Sequence, residues 1–277
     1  MSELGQLLMP SIGIIRSKRW ESADTATLGI SISDRSVLSY APGQFNMLYV
    51  HGVGEIPISI SGLNRTRQCY LHTVRGVGSV SDAILGLKRG DQIGIRGPYG
   101  NHWPLDKSIG GNLLIVAGGL GIAPLRPAIQ WCVRNRERFS ELQIIYGART
   151  PKDLILCRDW DAWFSHQTGT FQSIVDRPDS CWRGLVGTPL DVLPRNLLNP
   201  KASLALVCGP EIMMRYVCRE LVARGFSSDQ IFVSLERNMQ CAIGICGRCQ
   251  IERKFVCHDG PIFSFSSVAS MLAIPEL

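Results

Sequence analysis

The sequence predicts an antiparallel β barrel, then a doubly wound α/β domain with a parallel sheet, and then a C-terminal loop subdomain. Three observations support this: short apolar strands fill roughly the first 100 residues, strand and helix patterns alternate over residues 110–235, and four cysteines gather near the C-terminus. A chain of 277 residues is long enough for two domains, each with its own core. We predict domains at residues 1–108, 109–235 and 236–277.

The N-terminal region carries six strand patterns. Turn signals such as Pro42-Gly43 and Arg89-Gly90-Asp91 separate apolar and β-branched runs. A brief helix is predicted over residues 82–87, with Ser81 as its N-cap. Six short strands with one helical insert favour a small antiparallel barrel. The strands are predicted at residues 12–17, 25–32, 45–51, 56–61, 70–75 and 92–96.

The second region alternates strands with helices, which is typical of a parallel, doubly wound sheet. Helices are predicted over residues 125–136 and 211–224. The strands are predicted at residues 112–117, 142–146, 171–175, 204–208 and 231–235.

Two loops of this region follow strands and open helices. Glycines in the run from Ala117 to Pro124 would let the backbone approach a pyrophosphate, whose charge the helix N-terminus favours. An ordinary tight turn is the alternative, since the run is not a G-x-G-x-x-G fingerprint. Cys208-Gly209-Pro210 follows a later strand, where Cys208 could line a nicotinamide site or be a buried thiol. In the barrel, Gly78-Ser79-Val80-Ser81 could bind a phosphate through its amides or be only a helix cap.

The cysteines Cys241, Cys246, Cys249 and Cys257 have the spacing C-x4-C-x2-C-x7-C. This is the plant-type spacing of a [2Fe-2S] cluster, in which four thiolates must converge on a compact core. Gly244 and Gly247 remove side chains where the backbone must bend around it. Zinc and disulfides are the alternatives, but one C-x2-C pair is fewer than structural zinc sites usually have, and nothing suggests secretion.

Composition narrows the class of protein. A hydrophobic fraction of 45% with 19% charged residues is that of a globular protein. The net charge of +6 is scattered and follows no nucleic-acid-binding motif, so we expect no nucleic acid partner. We find no signal peptide and no apolar stretch of membrane-spanning length, and ten cysteines without an export signal indicate the cytoplasm. Five cysteines outside these motifs are predicted to be buried: Cys69, Cys132, Cys157, Cys181 and Cys218.

Together these motifs resemble the ferredoxin–NADP reductase superfamily from end to end. The run from Gly119 to Pro124 looks like its G-x-G-I-A-P nucleotide loop, Cys208-Gly209-Pro210 like its C-G-P motif, and Gly78-Ser79-Val80-Ser81 like its flavin pyrophosphate turn. The segment from Ser234 to Phe263 is very similar to the gamma subunit of cytoplasmic NAD(P)-linked [NiFe] hydrogenases, the sulfhydrogenases. Electron-transfer subunits of dihydroorotate dehydrogenase and of anaerobic sulfite reductase are close relatives.

The resemblance implies a flavin-binding barrel, a nucleotide-binding α/β domain and a cluster segment. The implied cofactors are FAD and a [2Fe-2S] cluster, with NAD(P)(H) as the substrate. Because flavin and cluster carry the chemistry, no side chain is expected to act as a catalytic acid or base. The implied FAD residues are Pro57, Ile58, Ser59, Ile60, Thr73, Val74, Arg75, Gly78, Ser79, Val80 and Ser81. The implied NAD(P) residues are Gly119, Leu120, Gly121, Ile122, Ala123, Pro124, Arg149, Cys208, Gly209, Pro210 and Met213. The implied cluster ligands are the four cysteines named above.

One motif departs from the family. The superfamily's flavin motif is Arg-x-Tyr-Ser, whereas this chain has Ile56-Pro57-Ile58-Ser59. The phosphate-binding Arg and the stacking Tyr are therefore missing, and Arg65 or Arg75 would have to balance the pyrophosphate charge.

The resemblance also implies partners. The chain is expected to pass electrons between NAD(P)(H) and hydrogenase large and small subunits, together with a further iron–sulfur subunit. The same module could instead serve anaerobic sulfite reductase or dihydroorotate dehydrogenase. A different class of protein, a zinc-stabilised regulatory module that binds a nucleotide, remains an alternative. Arg149 and Lys152 favour NADP(H) as the predicted nucleotide, although both could be solvated loop charges.

Overall fold

The chain forms two compact units in a computed structural model that describes residues 8–32, 39–64, 66, 68–164, 169–193 and 199–274. The first unit combines residues 1–102 with residues 236–261, and the second combines 103–235 with 262–277. The predicted C-terminal segment is therefore divided. Its cysteines fold with the N-terminal unit, and its last residues fold with the parallel sheet.

The first unit contains the predicted closed antiparallel barrel, with strands in the ring order β1-β2-β5-β4-β3-β6. Alternate residues of the strands point inwards, and Leu28, Leu48 and Ile60 are among the fully buried side chains of its core. The strands are β1 (Ser11–Trp20), β2 (Thr25–Ile32), β3 (Phe45–Val50), β4 (Gly54–Asn64), β5 (Cys69–Arg75) and β6 (Gln92–Tyr99).

The barrel's helical insert begins earlier than predicted. Helix α1 (Ser79–Gly86) has Gly78 as its N-cap, so Ser81 lies in the first turn and is not the cap. Ile84 anchors the helix in the barrel core. The extended backbone of Gly78 therefore sets the direction of the amides at the start of the helix.

The cysteine-bearing part of the first unit has little regular structure. Two short strands, β13 (Gln250–Ile251) and β14 (Lys254–Phe255), form a hairpin, and the short helix α5 (Val256–Asp259) follows. Cys257 lies in that helix. Hydrogen bonds from Arg96 and Asn101 join the segment to the N-terminal part of the unit.

The second unit is built on a sheet whose described strands have the order β10-β9-β8-β7-β11-β12-β15. All neighbours are parallel except β12 and β15, where Val233 pairs with Phe263 antiparallel. The strands are β7 (Asn112–Gly118), β8 (Glu141–Ala148), β9 (Gly169–Val175), β10 (Leu185–Val186), β11 (Ser203–Cys208), β12 (Ile231–Ser234) and β15 (Ile262–Ser264). The doubly wound sheet is confirmed, whereas β10 and β15 were not predicted.

Strand order in this sheet reverses between β7 and β11, because the chain runs outwards from β7 to β9 and then returns to β11 on the other side. Such a reversal opens a crevice beyond the carboxyl ends of the two central strands. The helices are α2 (Ile122–Arg134), α3 (Trp160–Phe164), α4 (Glu211–Ala223) and α6 (Ala269–Ala273).

Burial corrects one prediction about the isolated cysteines. Cys69, Cys132 and Cys218 are buried as predicted, but Cys157 and Cys181 are exposed. Cys157 follows the buried run Leu154-Ile155-Leu156 but opens a 3-10 turn after the left-handed Leu156, and Cys181 lies in an exposed turn. Among the described residues, no helix is both long and apolar enough to cross a lipid bilayer.

Candidate functional site

The glycine-rich loop and the Cys-Gly-Pro loop meet at the strand reversal of the second unit. A Cβ added to Gly121 would lie 2.4 Å from the carbonyl oxygen of Cys208, and one added to Gly209 would lie 2.9 Å from the Cα of Gly118. Glycine is required at these positions because any side chain would collide with backbone. The two loops predicted to bind NAD(P) are therefore packed against each other at the sheet's crevice.

Helix α2 starts within the glycine-rich motif, because Gly119–Gly121 form a 3-10 turn and Ile122 is the first residue of the helix. Ile122, Ala123 and Pro124 are buried, and Leu120 packs partly against the core. Their side chains hold the helix end in place. Backbone amides are thus the groups that this turn can offer to a phosphate.

Cys208 and Met213 have different surroundings. Cys208 ends β11 and is 2% exposed. Met213 lies in the first turn of α4 beyond Pro210, and its Sδ would lie 2.4 Å from a Cβ on Gly118. Met213 therefore fills the space that the glycine leaves free. Its part in nucleotide binding stays a prediction.

Arg149 follows β8 at the same carboxyl edge of the sheet, and its side chain is 74% exposed. Its guanidinium lies 3.8 Å from Asp153, whose other carboxylate oxygen accepts hydrogen bonds from the backbone and hydroxyl of Thr150. Asp153 therefore belongs to the turn. Arg149 stays available to a ligand because an exposed ion pair of this length is weak.

The predicted flavin residues of β4 differ in orientation. Ile58 packs against the barrel core and Ile60 belongs to it, whereas Pro57 and Ser59 alternate with them and are half-buried. Strand β3 flanks this stretch, with Met47 opposite Pro57. Pro57 and Ser59 therefore line an outer strip of β4 that a flat ring could cover.

The polar side chains at the end of β5 already have hydrogen-bond partners within the protein. Thr73 shares a buried hydroxyl chain with Thr27 and Ser61, and Val74 lies in the barrel core. Arg75 donates to the Thr25 hydroxyl at 3.3 Å and lies 3.4 Å from Asp24. Part of the Arg75 charge is therefore offset by Asp24. The other candidate for the pyrophosphate charge, Arg65, lies outside the described residues.

The turn before α1 is organised by Ser81. Its hydroxyl accepts hydrogen bonds from the amides of Val77 at 2.9 Å and Gly78 at 3.0 Å, and donates to the Gly78 carbonyl at 2.9 Å. Ser81 is 4% exposed, whereas Ser79 beside it is exposed. The free amides of the first helical turn can still receive a pyrophosphate, because Ser81 holds only the two amides before them.

A buried histidine that was not predicted from the sequence contacts β4, the strand predicted to contribute FAD residues. His72 is fully buried, its Nδ1 lies 3.1 Å from the carbonyl of Ser59, and its Nε2 lies 3.1 Å from Asn46 Nδ2. The two contacts require Nδ1 to donate and Nε2 to accept. Burial lowers the pKa of His72 to about 4, although the carbonyls of Ser59 and Ile58 oppose the shift. His72 is therefore neutral, and its hydrogen bonds join β5 to β3 and β4.

The cluster cysteines have backbone amides directed at their sulfurs. Ile243 and Ile245 donate to Cys241 Sγ, Gly244 donates to Cys257 Sγ at 3.3 Å, and the amide of Cys257 donates to Cys249 Sγ at 3.4 Å. Such bonds stabilise thiolates, which are the form that binds iron. Gly244 has a φ of 79°, so the bend predicted for it is present.

The four thiols lie close enough to influence one another's ionisation. Cys246 affects the thiol of Cys241, and both Cys249 and Cys241 affect the thiol of Cys257. Burial opposes ionisation of Cys241, yet the amides of Ile243, Ile245 and Cys246 lower its pKa to about 6. Burial, together with the neighbouring Cys249 and Cys241, raises the pKa of Cys257 to about 12. All four can be thiolates together only if cationic metal neutralises them.

The donor set fits an iron–sulfur cluster. Four thiols of one segment lie close together, and backbone amides donate to the sulfurs of Cys241, Cys249 and Cys257. Thiolates held by such hydrogen bonds are the ligands that [2Fe-2S] clusters use, so the residues fit that cofactor.

A further residue that the sequence analysis missed joins this segment to the barrel. Arg96 of β6 is 6% exposed and pairs with Glu55 of β4. It also donates to the carbonyls of Gln240 and Cys241. No sequence pattern signals this role, because Arg96 is 145 residues from Cys241 along the chain.

Comparisons with known proteins agree with this architecture. Residues 115–219 match the oxidoreductase NAD-binding domain, and residues 236–269 match the iron–sulfur cluster binding domain of dihydroorotate dehydrogenase B. Sulfhydrogenase 1 subunit gamma of Pyrococcus furiosus is 36% identical over 240 residues, which cover 84% of this chain and 82% of that protein. A probable electron transfer subunit of dihydroorotate dehydrogenase B from Archaeoglobus fulgidus is 36% identical, over 88% of this chain and 93% of that protein.

A solved structure has the same fold over nearly the whole chain. The structure of an NADH-dependent reduced ferredoxin-NADP oxidoreductase superposes with a TM-score of 0.76 at 26% identity, over 94% of this chain and 92% of that one. The fold and the matched domains define an NAD(P)-linked oxidoreductase that carries FAD and an iron–sulfur cluster. The chain belongs to the ferredoxin–NADP reductase superfamily, in the group that contains the sulfhydrogenase gamma subunits and the dihydroorotate dehydrogenase B electron-transfer subunits.

Proposed function

We propose that this chain is the electron-transfer subunit of a cytoplasmic [NiFe] hydrogenase and passes electrons between NAD(P)(H), FAD, a [2Fe-2S] cluster and the hydrogenase. The observation that carries the proposal is that the barrel and the cysteine segment fold together in the first unit. A flavin carrier and a one-electron carrier are thereby built into one body. The similarity to two sulfhydrogenase gamma subunits, at 36% and 34% identity, supports hydrogenase as the partner.

The protein's own residues bind and orient, and none transfers a proton. When bound, the flavin exchanges hydride with the nicotinamide and single electrons with the iron–sulfur cluster. The Gly121 and Gly209 loops give the nucleotide close access to backbone. The four cysteines would hold the irons, and the amides of residues 243–245 would lower the energy of the charged sulfurs. Ser81 shapes the turn proposed to hold the FAD pyrophosphate.

The proposed partners are the hydrogenase large and small subunits and a further iron–sulfur subunit. Sulfhydrogenase 1 and 2 subunits gamma are by name parts of larger complexes, which supports a hetero-oligomer. The chain has ten cysteines, and among the described residues none of them forms a disulfide, which fits a reducing cytoplasm.

A second candidate partner is a dihydroorotate dehydrogenase. The match of residues 236–269 to the cluster domain of dihydroorotate dehydrogenase B supports it, as do the several similar electron transfer subunits of that enzyme. Anaerobic sulfite reductase is a third possibility of the same class. Affinity purification of the native complex separates these partners, since nickel, orotate-forming activity or sirohaem would accompany the chain.

The proposed function is tested on anaerobically purified protein. We expect about two irons and two acid-labile sulfides per chain, an S = 1/2 EPR signal after reduction, and FAD. Reduction of dye acceptors by NAD(P)H is expected without hydrogen production or uptake. Cys246→Ser should abolish the EPR signal and leave hydride transfer to the flavin, with the exposed Cys181→Ser as the matched control. Stoichiometric zinc without labile sulfide would favour the zinc-stabilised regulatory module instead.

A further inference from the structure

Arg96 makes an unusual set of contacts for a barrel residue. Its Nε and one terminal nitrogen bind the two carboxylate oxygens of Glu55 at 2.7 and 2.5 Å. The terminal nitrogens also donate to the carbonyl of Cys241 at 2.6 Å and to that of Gln240 at 2.5 Å. One buried guanidinium therefore joins a carboxylate of the barrel to the backbone of the first cluster cysteine.

Glu55 places this contact on β4, the strand proposed to carry the flavin. It lies on β4 two positions before Pro57, and it pairs across the strands with Tyr49 of β3. The ring of Tyr99 stands 5.7 Å from the Arg96 guanidinium, within the range of a cation–π contact. Arg96 thus links the strand proposed to carry the flavin with the loop that carries the cluster, inside a single compact unit.

The far end of the ligand loop is tethered independently. The amide of Asn101 donates to the Gly260 carbonyl at 2.7 Å, and its side-chain nitrogen donates to the Asp259 carbonyl at 3.0 Å. Both carbonyls follow the last ligand, Cys257. Asn101 holds the far end without a charge, so of these two holds it is the Arg96 hold that brings a charge to the backbone of a cluster ligand.

We propose that Arg96 is a positioning residue that holds the first cluster ligand in place and, balanced by Glu55, contributes to the charge that the cluster experiences. The proposal rests on the proposed function, because it requires a cluster at the four cysteines. A cluster gains negative charge on reduction, so a nearby cation raises its reduction potential and a nearby anion lowers it. Removing one member of the Arg96–Glu55 pair should therefore shift the potential in a direction that depends on which member is lost.

The test is an EPR-monitored redox titration of the purified full chain, with iron content and the rate of iron loss to a chelator. Glu55→Gln leaves the Arg96 charge uncompensated and should raise the potential. Arg96→Met leaves the Glu55 charge and should lower it. Arg96→Lys keeps the charge but loses the planar fork, so its potential should stay nearer to wild type than that of Arg96→Met, while iron loss becomes several-fold faster.

Two controls make the outcome specific. Arg89→Met removes an exposed arginine of the same unit and should leave the potential and EPR spectrum unchanged. Asn101→Ala loosens the other tether without changing charge and should speed iron loss without a shift in potential. If Arg96→Met does not assemble a cluster, Glu55→Gln still tests the direction of the shift in potential. Arg96→Lys still tests whether the planar guanidinium is needed to retain iron.

Potentials that shift in the same direction for Glu55→Gln and Arg96→Met, or shift no more than in Arg89→Met, would overturn the proposal. A wild-type chain without iron and sulfide would instead overturn the proposed function. The two failures are therefore distinguishable from the same set of samples.

Discussion

Gly121 lies against the carbonyl of Cys208, so closely that a Cβ on Gly121 would stand 2.4 Å from the oxygen and 2.6 Å from the amide nitrogen of Gly209. The loop after β7 and the loop after β11 therefore depend on each other for their shape. Because strand order reverses between these two strands, the contact also defines the floor of the crevice where doubly wound sheets bind nucleotides.

Gly121→Ala should damage both stability and nucleotide binding. The new methyl group can be accommodated only by moving backbone, and overpacking of this kind costs about 1–3 kcal/mol. We expect a lower melting temperature and a KM for NAD(P)H raised by about tenfold or more, with dye reduction as the assay. Gly86→Ala is the matched control, since a Cβ there meets nothing within 4 Å. A Gly121→Ala chain with wild-type KM would mean that the nucleotide does not use this loop.

Ser81→Ala tests the flavin turn. Its hydroxyl is the acceptor for the amides of Val77 and Gly78, so alanine leaves two donors without that partner. Loss of such bonds costs about 1–2 kcal/mol, which corresponds to roughly a tenfold weaker binding of FAD if the turn holds the pyrophosphate. The measurement is FAD fluorescence during titration of the deflavinated chain. Ser79→Ala, at an exposed neighbouring position, should bind like wild type. A lower melting temperature with unchanged FAD affinity would assign Ser81 a structural role alone.

Local sequence patterns predicted most of the fold, whereas contacts between residues far apart in the chain were not predictable. Strand alternation, the two glycine loops and the cysteine spacing are local patterns, and they were sufficient for the barrel, the parallel sheet and the cluster loop. Arg96 was not predictable because its partners Glu55 and Cys241 are 41 and 145 residues away along the chain. The antiparallel β15 was missed for a related reason. Its three residues have no period of their own and become a strand only by pairing with β12.

His72 predicts a pH dependence of stability. Burial lowers its pKa to about 4, whereas an unfolded histidine has a pKa of about 6.5. Between these values the unfolded chain binds the extra proton, so stability is complete above about pH 6.5 and falls as the pH is lowered towards 4. The loss attributable to His72 is about 3 kcal/mol. Urea unfolding of wild type and His72→Gln across pH 4–7 should reveal this as a difference between the two curves, because carboxylates titrate in both. Parallel curves would contradict the assignment, and the exposed His51→Gln should follow wild type.

The nucleotide preference depends on Arg149. It follows the carboxyl end of β8, where a 2′-phosphate would lie if the adenosine ribose extends past this strand, and its exposed ion pair with Asp153 at 3.8 Å holds it only weakly. A charge-assisted bond to phosphate contributes roughly 1.5–3 kcal/mol, so Arg149→Ala should lower the ratio of kcat/KM for NADPH to that for NADH by at least about tenfold. Lys201→Ala is the matched control, because Lys201 precedes β11 and so lies at the opposite edge of the parallel sheet. That variant loses the same charge and should keep the wild-type ratio. A wild type that prefers NADH, or an Arg149→Ala ratio equal to that of Lys201→Ala, would remove Arg149 from the nucleotide site, while the four-cysteine segment would still support electron transfer.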